Sequence, residues 1–237
     1  MKSTKSFSII IPLYNEEKFV EKQIDNLIKS VSIKYNSYEI LLIENGSTDN
    51  TYEIIKKLTK IYPKLIRALK LNTPCYGLAV KTGIEKAEFN RIVQFDIDFI
   101  DINFLNKSQK LLLNFDIIIG SKNHPLSNDQ RPVLRVFMTK LINLFVRNLL
   151  KYKGTDTHGI KAYKRNKISQ IIKKVKTTHH FFETELILRA AKDNFKIIEL
   201  PVHIKELRPT RFPTLIRLIE ALKEVVLLIK LRKELVR

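Results

Sequence analysis

Short apolar runs alternate with amphipathic segments along the first half of the chain. Each run has the length of a buried strand, and the segment after it repeats apolar residues at helical spacing. Strands that alternate with helices predict an α/β fold with a doubly wound, mostly parallel sheet and helices on both faces. The predicted strands cover 7–11, 39–43, 65–71, 92–98 and 115–119, and the predicted helices cover 19–31, 52–61, 76–87 and 102–113.

Two of these helices have candidate N-terminal caps. An oxygen-bearing side chain just before a helix accepts a hydrogen bond from an N–H group of the first turn. Ser47 or Thr48, which follow the turn at Gly46, are the predicted cap of the second helix, and Asp101 is the predicted cap of the fourth.

The pattern changes after residue 120. Residues 131–153 contain no acidic residue, and their apolar residues cover most of a predicted helix. A polar stripe runs along this helix at every fourth position, through Arg135, Thr139, Asn143, Arg147 and Lys151. A helix of this kind is either buried in a core, with its basic edge in solvent, or rests against lipid, with its cations near lipid phosphates. The sequence leaves both interpretations open.

The remaining predicted elements are two strands, over 159–163 and 197–204, and a helix over 181–191. Pro201 cannot donate a ladder hydrogen bond, so its strand is expected at a sheet edge or to end there.

The last segment, 212–237, is a predicted amphipathic helix. Its longest apolar run, 225–229, is far too short to cross a bilayer, which takes about 20 residues. The helix either lies in a membrane interface or packs on the domain, and we expect the interface. The predicted organisation is therefore one domain over 1–206, followed by a basic amphipathic helix over 207–237.

The net charge changes this picture by pointing to a partner. The 237 residues include 43 Lys and Arg against 24 Asp and Glu, a formal charge of +19. Such an excess favours a polyanion, either nucleic acid or an acidic membrane surface. Nucleic acid is disfavoured because the basic residues lie on apolar helices without interleaved aromatic residues.

The expected location is cytoplasmic, on the inner face of the membrane. A single cysteine, Cys75, excludes an intramolecular disulfide and suits a reducing compartment. No signal peptide and no membrane-spanning run is predicted.

The strand over 92–98 ends in two carboxylates, Asp96 and Asp98. Ligands of open α/β sheets collect beyond the carboxyl ends of the strands, and two neighbouring acids there repel each other unless a cation lies between them. A hard divalent ion held by carboxylates and substrate phosphates fits this pattern. An acidic turn that closes a strand is the alternative for an isolated D-x-D.

Several motifs, in the right order, resemble those of family 2 nucleotide-sugar glycosyltransferases. They are IIPLYNEE over 10–17, ENGSTD over 44–49, G-x-A-x-x-x-G over 77–83, DID over 96–98 and GSK over 120–122. Three later motifs are similar to the branch that makes polyprenyl-phosphate sugars, the dolichol-phosphate mannose and glucose synthases. These are D-x-x-G-x-K over 156–161, FETEL over 182–186 and ELPV over 199–202.

This resemblance implies a GT-A-type fold and a metal-assisted, inverting transfer of mannose or glucose. The donor would be GDP-mannose or UDP-glucose, and the acceptor a polyprenyl (dolichyl-type) phosphate. The residues implied in donor binding are Pro12, Tyr14, Glu16, Glu44, Asp96 and Lys122, and those implied in holding Mg²⁺ or Mn²⁺ and in catalysis are Asp96 and Asp98.

The sequence departs from the family pattern at four of its positions. Glu44 and Asn45 replace two aspartates of the family turn, Lys122 replaces an arginine, and Ile100 stands where the synthases often have glutamine. Lys122 keeps the positive charge but loses the two-pronged geometry of a guanidinium.

The acceptor side is expected to be cationic, because a lipid phosphate is already anionic and needs positioning more than a general base. Arg135 matches an R-x-x-x-S-x-x-x-N pattern of the synthases, with Thr139 in place of serine. It is also a candidate catalytic residue. Arg208 and Arg211 are the other candidates for binding the acceptor phosphate.

Three other interpretations remain at this point. A family 2 enzyme acting on the hydroxyl of a glycan or cell-surface polymer would need a general base, with Glu183 or Glu185 as contenders. The others are a nucleic-acid-binding module and an inactive relative, which the intact D-x-D argues against. A membrane surface is an expected partner of the preferred enzyme, and a separate membrane subunit would also be compatible with it.

Overall fold

The computed structural model describes residues 6–131, 133–179, 181–204 and 225–235, with the backbone alone at 134, 135, 138, 142 and 146. The strands are β1 Phe7–Leu13, β2 Tyr38–Asn45, β3 Ile66–Leu71, β4 Arg91–Gln94, β5 Ile117–Ser121, β6 Asn128–Asp129, β7 Lys161–Lys164, β8 Ile197–Pro201 and β9 His203–Ile204. The helices are α1 Val20–Ser32, α2 Thr51–Ile61, α3 Tyr76–Lys86, α4 Ile102–Leu111, α5 Val133–Leu149, α6 Arg165–Ile172 and α7 Phe182–Lys192. Residues 225–230 and Arg232–Leu235 are also helical.

Seven strands form one sheet in the order β3-β2-β1-β4-β7-β5-β8. Every neighbouring pair is parallel except the two that involve β7, which runs antiparallel to both β4 and β5. β8 lies at one edge and ends at Pro201, as predicted from the missing N–H of proline. The predicted doubly wound, mostly parallel sheet is therefore confirmed.

Helices cover both faces of this sheet because side chains of a strand alternate between its faces. In β1, Ile10 packs with α3, α6 and α7 on one face, and Ile9 and Ile11 pack with α1, α2 and α4 on the other. All three isoleucines are fully buried. The sheet thus separates two hydrophobic cores, which fixes its strand ends as the rigid base of any site.

Two predictions about local structure were wrong. The strand predicted over 92–98 ends at Gln94, because the chain turns and the Phe99 N–H donates to the carbonyl oxygen of Asp96 at 2.9 Å. Neither Ser47 nor Thr48 caps α2, which begins only at Thr51. The Ser47 hydroxyl instead accepts a hydrogen bond from the Asn15 N–H, 3.0 Å away, and so links two loops. The predicted cap at Asp101 is confirmed, since its carboxylate accepts from the Phe104 N–H at 2.9 Å.

The orientation of α5 differs from that of a core helix with its polar edge in solvent. Asn143, from the polar stripe, is only 7% exposed, whereas Phe137 and Leu141 are 61% and 50% exposed. The helix therefore turns part of its polar stripe inward and presents apolar side chains to the outside.

The described part of the C-terminal segment packs on the domain. Leu228, Leu231 and Leu235 are buried in the core beside α6 and α7. Glu234 forms ion pairs with Lys176 and Arg189, at 2.7 and 3.1 Å. The rest of the helix predicted over 207–237 lies outside the described residues. Within the described ranges, no helix combines the length and apolarity needed to cross a membrane.

Replacing the cap of α4 is a direct test of the local folding argument. Asp101→Ala should lower the free energy of unfolding by about 1 kcal/mol, because the N–H of Phe104 loses its acceptor. Asp101→Ser keeps a capping oxygen and should stay close to the parent protein. Urea unfolding measures both, and equal losses in the two variants would contradict the capping role.

Candidate active site

The candidate site lies at one edge of the sheet, where several strands end together. β1, β2, β4 and β5 run in the same direction, so their carboxyl ends meet at that edge. β7 runs in the opposite direction and therefore begins there, at Lys161. This edge is the ordinary place for a ligand in an α/β sheet.

Asp96 and Asp98 lie at this edge, on the turn that follows β4. Burial, together with the carboxylates of Asp98 and Glu183, raises the pKa of Asp96 to about 6, against the opposing charges of Lys122 and Lys161. Three carboxylates are thus close enough to disfavour one another's charge. Such a cluster is suited to a positively charged ligand.

A series of hydrogen-bonded polar side chains leads to Asp96 and supports it. The Tyr76 hydroxyl donates to Asp96 Oδ1 at 3.3 Å and accepts from Gln94 Nε2 at 3.1 Å. Gln94 Nε2 also donates to Glu183 Oε1 at 2.6 Å, and Gln94 Oε1 accepts from the Tyr163 hydroxyl at 2.9 Å. Burial raises the pKa of Tyr76 and Tyr163 well above the usual value, so both keep their protons and act as donors.

The series of hydrogen bonds ends in a buried ion pair between Lys161 and Glu183. Lys161 Nζ lies 2.7 Å from Glu183 Oε1, and the two side chains are 0% and 3% exposed. The ammonium also donates to the carbonyl oxygen of Gly159 at 2.7 Å. A charge buried this deeply is tolerated only when it is paired and hydrogen-bonded. We refer to Tyr76, Gln94, Lys161, Tyr163 and Glu183 as the support network.

Glu44 lies at the end of β2, fully buried. Its Oε1 accepts from the Ser47 N–H, while its Oε2 is buried with no hydrogen-bond partner in the described structure. Asn45 does not share this role, because its side-chain oxygen accepts from the Cys75 N–H at 2.7 Å. A buried acceptor without a donor is unusual and points to a ligand donor at this place.

The loop after β1 is braced against the loop after β2. The Glu16 N–H donates to Thr51 Oγ1 at 2.6 Å, and Asn15 Oδ1 accepts from the Thr48 N–H at 2.8 Å. Pro12 is buried in β1, Tyr14 is partly buried, and Glu16 is buried. The residues expected around a nucleotide are thus held beside Glu44.

Lys122 directly follows β5 and lies close enough to Asp96 for its positive charge to oppose the rise in the pKa of that carboxyl. Asp156, fully buried, accepts from the N–H groups of Lys122 and His158 at 3.1 and 2.9 Å. Gly159 has a φ of +103°, and a Cβ there would lie 3.5 Å from Lys122 Nζ. Asp156 and Gly159 thus fix the loops that position the ammonium.

A cavity of about 490 Å³ lies between α5 and the loop after β5. We call it the α5 cavity. Its lining is rich in cations and hydrogen-bond donors and includes Lys122, Asn123, His124, Ser127, Asp129, Val136, Lys140, Asn143, Leu144, Arg147 and Thr155.

The structure separates the two glutamates of α7. Glu185 accepts from the N–H groups of Lys176 and Thr177, and from Arg189 Nε at 2.7 Å. It therefore stabilises the loop before α7 and does not face the aspartates. Glu183 does face the aspartates, but its carboxylate forms an ion pair with Lys161.

The three predicted acceptor residues lie wholly or partly outside the described residues. The backbone of Arg135 lies in the first turn of α5, and its side chain is outside the described residues, as are Arg208 and Arg211. Within the described ranges, no group of three or more potential metal-ligating His, Cys, Asp or Glu side chains is found.

A comparison with known families identifies the chain. Residues 8–172 match the sequence profile described as Glycosyl transferase family 2. The chain belongs to glycosyltransferase family 2. A dolichyl-phosphate beta-glucosyltransferase of Dictyostelium discoideum is 29% identical over 238 residues, covering 92% of this chain and 72% of that protein. Glycosyltransferase AglD of Haloferax volcanii is 25% identical, covering 82% of this chain and 32% of that protein.

Solved structures confirm the predicted GT-A-type fold of this family 2 glycosyltransferase. Glucosyl-3-phosphoglycerate synthase from Mycobacterium tuberculosis, crystallised with Mn²⁺, UDP-glucose and phosphoglyceric acid, superposes with a TM-score of 0.66 at 18% identity. The match covers 96% of this chain and 79% of that one. At this identity the likeness concerns the fold alone.

Sequence reasoning missed most of the support network. Gln94 did give a signal, as a polar residue inside the apolar run of a buried strand. Lys161 gave a signal only as the last residue of the D-x-x-G-x-K motif, and Tyr76 and Tyr163 gave none, because their partners lie on other elements. The sequence pattern places Arg147 on the polar stripe of α5 but does not indicate that Arg147 and Lys140 line a cavity.

The ion pair gives the sharpest stability prediction for this glycosyltransferase. Lys161→Met should lower the free energy of unfolding by about 3–5 kcal/mol, because Glu183 would be left as an uncompensated buried charge. Adding Glu183→Gln removes that charge and should restore most of the loss. Denaturant unfolding of the single and double variants measures this.

The matched control is Lys56→Met, which removes an ammonium from a solvent-exposed pair with Glu53. It should leave stability unchanged. A Lys161→Met variant as stable as this control would show that the buried pair is not an essential support.

Proposed function

We propose that this glycosyltransferase transfers glucose from UDP-glucose to a polyprenyl phosphate, with inversion and with the help of Mg²⁺ or Mn²⁺. The observation that carries the proposal is the clustering of Asp96 and Asp98 with the ammonium of Lys122 at the carboxyl edge of the sheet. The glucosyltransferase name of the Dictyostelium relative supports glucose and a dolichyl-type acceptor.

The choice of nucleotide rests on Glu44. Only one of its oxygens lacks a donor, since Ser47 already occupies the other. Uracil offers one N–H between two carbonyl groups, whereas the matching edge of guanine offers two neighbouring donors. A single free acceptor therefore suits uracil, and UDP-glucose is favoured over GDP-mannose. Pro12, Tyr14 and Glu16 would surround the same nucleotide.

A divalent cation fits the residues at the site. Burial, and after it the neighbouring carboxylates, raise the pKa of Asp96, and a nearby cation would oppose both effects by favouring the ionised carboxylate. Carboxylate oxygens are the ligands that Mg²⁺ and Mn²⁺ prefer. Asp96 and Asp98 would hold the ion, and the donor diphosphate and water would complete its shell. When bound, it would neutralise the charge that develops on the leaving diphosphate.

The reaction needs no general base from the protein. An acceptor phosphate oxygen would attack the anomeric carbon of glucose as the bond to the β-phosphate of UDP breaks, and the bonding electrons would leave with UDP. Lys122 would stabilise the charge on that diphosphate.

An acceptor hydroxyl would require a base, yet Glu183 and Glu185 are both engaged in ion pairs. This disfavours the alternative of a glycan hydroxyl as acceptor. Arg135, Arg208 and Arg211 remain the proposed cations that guide the acceptor phosphate.

The outer face of α5 supports a peripheral position on a membrane surface, for which we propose the cytoplasmic side. Val133, Phe137, Leu141 and Leu144 follow one another at helical spacing, and all are exposed. An apolar stripe on a helix without acids has the composition of an interfacial helix. Phe137 and Leu141 would enter the lipid surface, and the α5 cavity would lie beside it.

Transfer activity tests the proposed function directly. With UDP-[¹⁴C]glucose and a polyprenyl phosphate, the parent protein should form a labelled, acid-labile lipid, and with GDP-mannose it should form much less. Asp98→Asn should lower the rate about a thousandfold while the fold survives. Asp101→Asn, three positions away and outside the site, is the matched control. Full activity of Asp98→Asn would remove the metal hypothesis.

Vesicle binding tests the membrane surface separately. Phe137→Asp combined with Leu141→Asp should weaken co-sedimentation with anionic phospholipid vesicles by about tenfold or more, because the variant loses apolar burial and gains repulsion. Leu113→Asp changes an equally exposed apolar residue on another element and should bind like the parent. Unchanged binding of the double variant would place the membrane contact elsewhere.

A further inference from the structure

The first turn of α3 is capped by a loop from a distant part of the chain. Cys75, the residue before the helix, makes no side-chain cap bond. Instead, the carbonyl oxygen of Thr178 accepts from the Gly77 N–H at 2.8 Å and from the Cys75 thiol at 3.2 Å. The first N–H groups of a helix need acceptors from outside it, and here one comes from residues 176–178. We call these three residues the capping loop.

The contact between the capping loop and α3 is close enough that a shift of the loop would shift the start of the helix. A Cβ atom at Gly77 would lie 2.4 Å from the Thr178 carbonyl oxygen and 2.6 Å from Cβ of Phe182, the first residue of α7. Gly77 is buried, so only a residue without a side chain fits at this place. The position of the capping loop therefore sets the position of the first turn of α3.

The first residue of α3 is Tyr76, which belongs to the support network. Its hydroxyl donates to Asp96 Oδ1 at 3.3 Å and accepts from Gln94 Nε2 at 3.1 Å. The hydroxyl thus fixes the orientation of the carboxylate through one of its two oxygens. Displacing the start of α3 would remove this restraint, because the tyrosine would move with the helix.

Glu185 holds the capping loop by its backbone. Both carboxylate oxygens accept from the Lys176 N–H at 3.0 Å, and Oε2 also accepts from the Thr177 N–H at 2.7 Å. The carboxylate is fully buried and is neutralised by Arg189, whose Nε lies 2.7 Å from Oε1. All of these partners are donors, and only a carboxylate offers two acceptor oxygens and no donor. A glutamine at this position would place its NH₂ group against one of them.

We propose that Glu185 is a positioning residue for the cation site. It fixes the capping loop, the loop fixes the start of α3, and Tyr76 at that start orients Asp96. This inference rests on the proposed function, in which Asp96 and Asp98 hold a divalent cation. The two glutamates of α7 then support the same carboxylate by different routes, Glu183 through β4 and Glu185 through α3.

Binding of Mn²⁺ to the full chain in the presence of UDP tests the proposal without turnover, because electron paramagnetic resonance measures the free ion directly. Glu185→Gln should weaken Mn²⁺ binding about tenfold, as expected for a residue that orients a metal ligand. Circular dichroism shows whether the variant is folded at the temperature of the titration. An unchanged Mn²⁺ affinity in folded Glu185→Gln would overturn the proposal.

The matched control is Glu234→Gln. Glu234 also contacts the side chains of Lys176 and Arg189, at 2.7 and 3.1 Å, but within the described residues it accepts no hydrogen bond from the backbone of the capping loop. Its loss should leave the Mn²⁺ affinity within about twofold of the parent value. Equal losses of affinity in the two variants would show a general effect of charge and would overturn the role of the loop.

A double-mutant cycle tests whether the effect passes through Tyr76. Tyr76→Phe keeps the ring, removes the hydroxyl, and should weaken Mn²⁺ binding about tenfold. Adding Glu185→Gln to Tyr76→Phe should weaken binding by less than about twofold more, since the bond through which it acts is already lost. If Glu185→Gln had the same effect in both backgrounds, the proposed route would be overturned.

A variant at the contact itself keeps the proposal testable if Glu185→Gln does not fold. Gly77→Ala forces the capping loop and α3 apart and should weaken Mn²⁺ binding about tenfold in the folded protein. An unchanged affinity in this variant would also overturn the proposal. A parent protein that binds no Mn²⁺ would instead contradict the proposed function, and this inference with it.

Discussion

The buried ion pair between Lys161 and Glu183 is the interaction on which the site depends. It forms because β7 enters the parallel sheet in the opposite direction, so that its first residue reaches the edge where the other strands end. Gln94 donates hydrogen bonds to Glu183 and to the Tyr76 hydroxyl, and Tyr76 in turn donates to Asp96. A rigid base of this kind lets a carboxylate stay close to like charges in a defined geometry.

Helix α5 differs from the support network because some of its apolar side chains are exposed. In α5, Asn143 is buried and Phe137 and Leu141 are exposed, while Phe145 and Leu149 pack against the core beside α6 and α7. Under the proposed function, the exposed apolar residues would meet the membrane that contains the hydrophobic tail of the acceptor.

Much of the fold could be predicted from the sequence, because the apolar runs that become β1, β2 and β5 must be buried in the same way in any α/β sheet. Geometry that depends on tertiary contacts could not. The end of β4 at Gln94 is set by a turn at Asp96, and Ser47 serves the neighbouring loop because Asn15 lies beside it. Likewise, the periodicity of α5 identifies its two faces, but tertiary packing determines which side chains point inward.

The central claim is that the supported carboxylates hold a cation against the donor diphosphate. Its most direct test is a crystal structure of the full chain with UDP-glucose and Mn²⁺. The account predicts Mn²⁺ bound by Asp96 and Asp98 at a coordination distance of about 2 Å, with the uracil N–H against Glu44 Oε2. A metal bound elsewhere, or the two carboxylates pointing into separate surroundings, would contradict it.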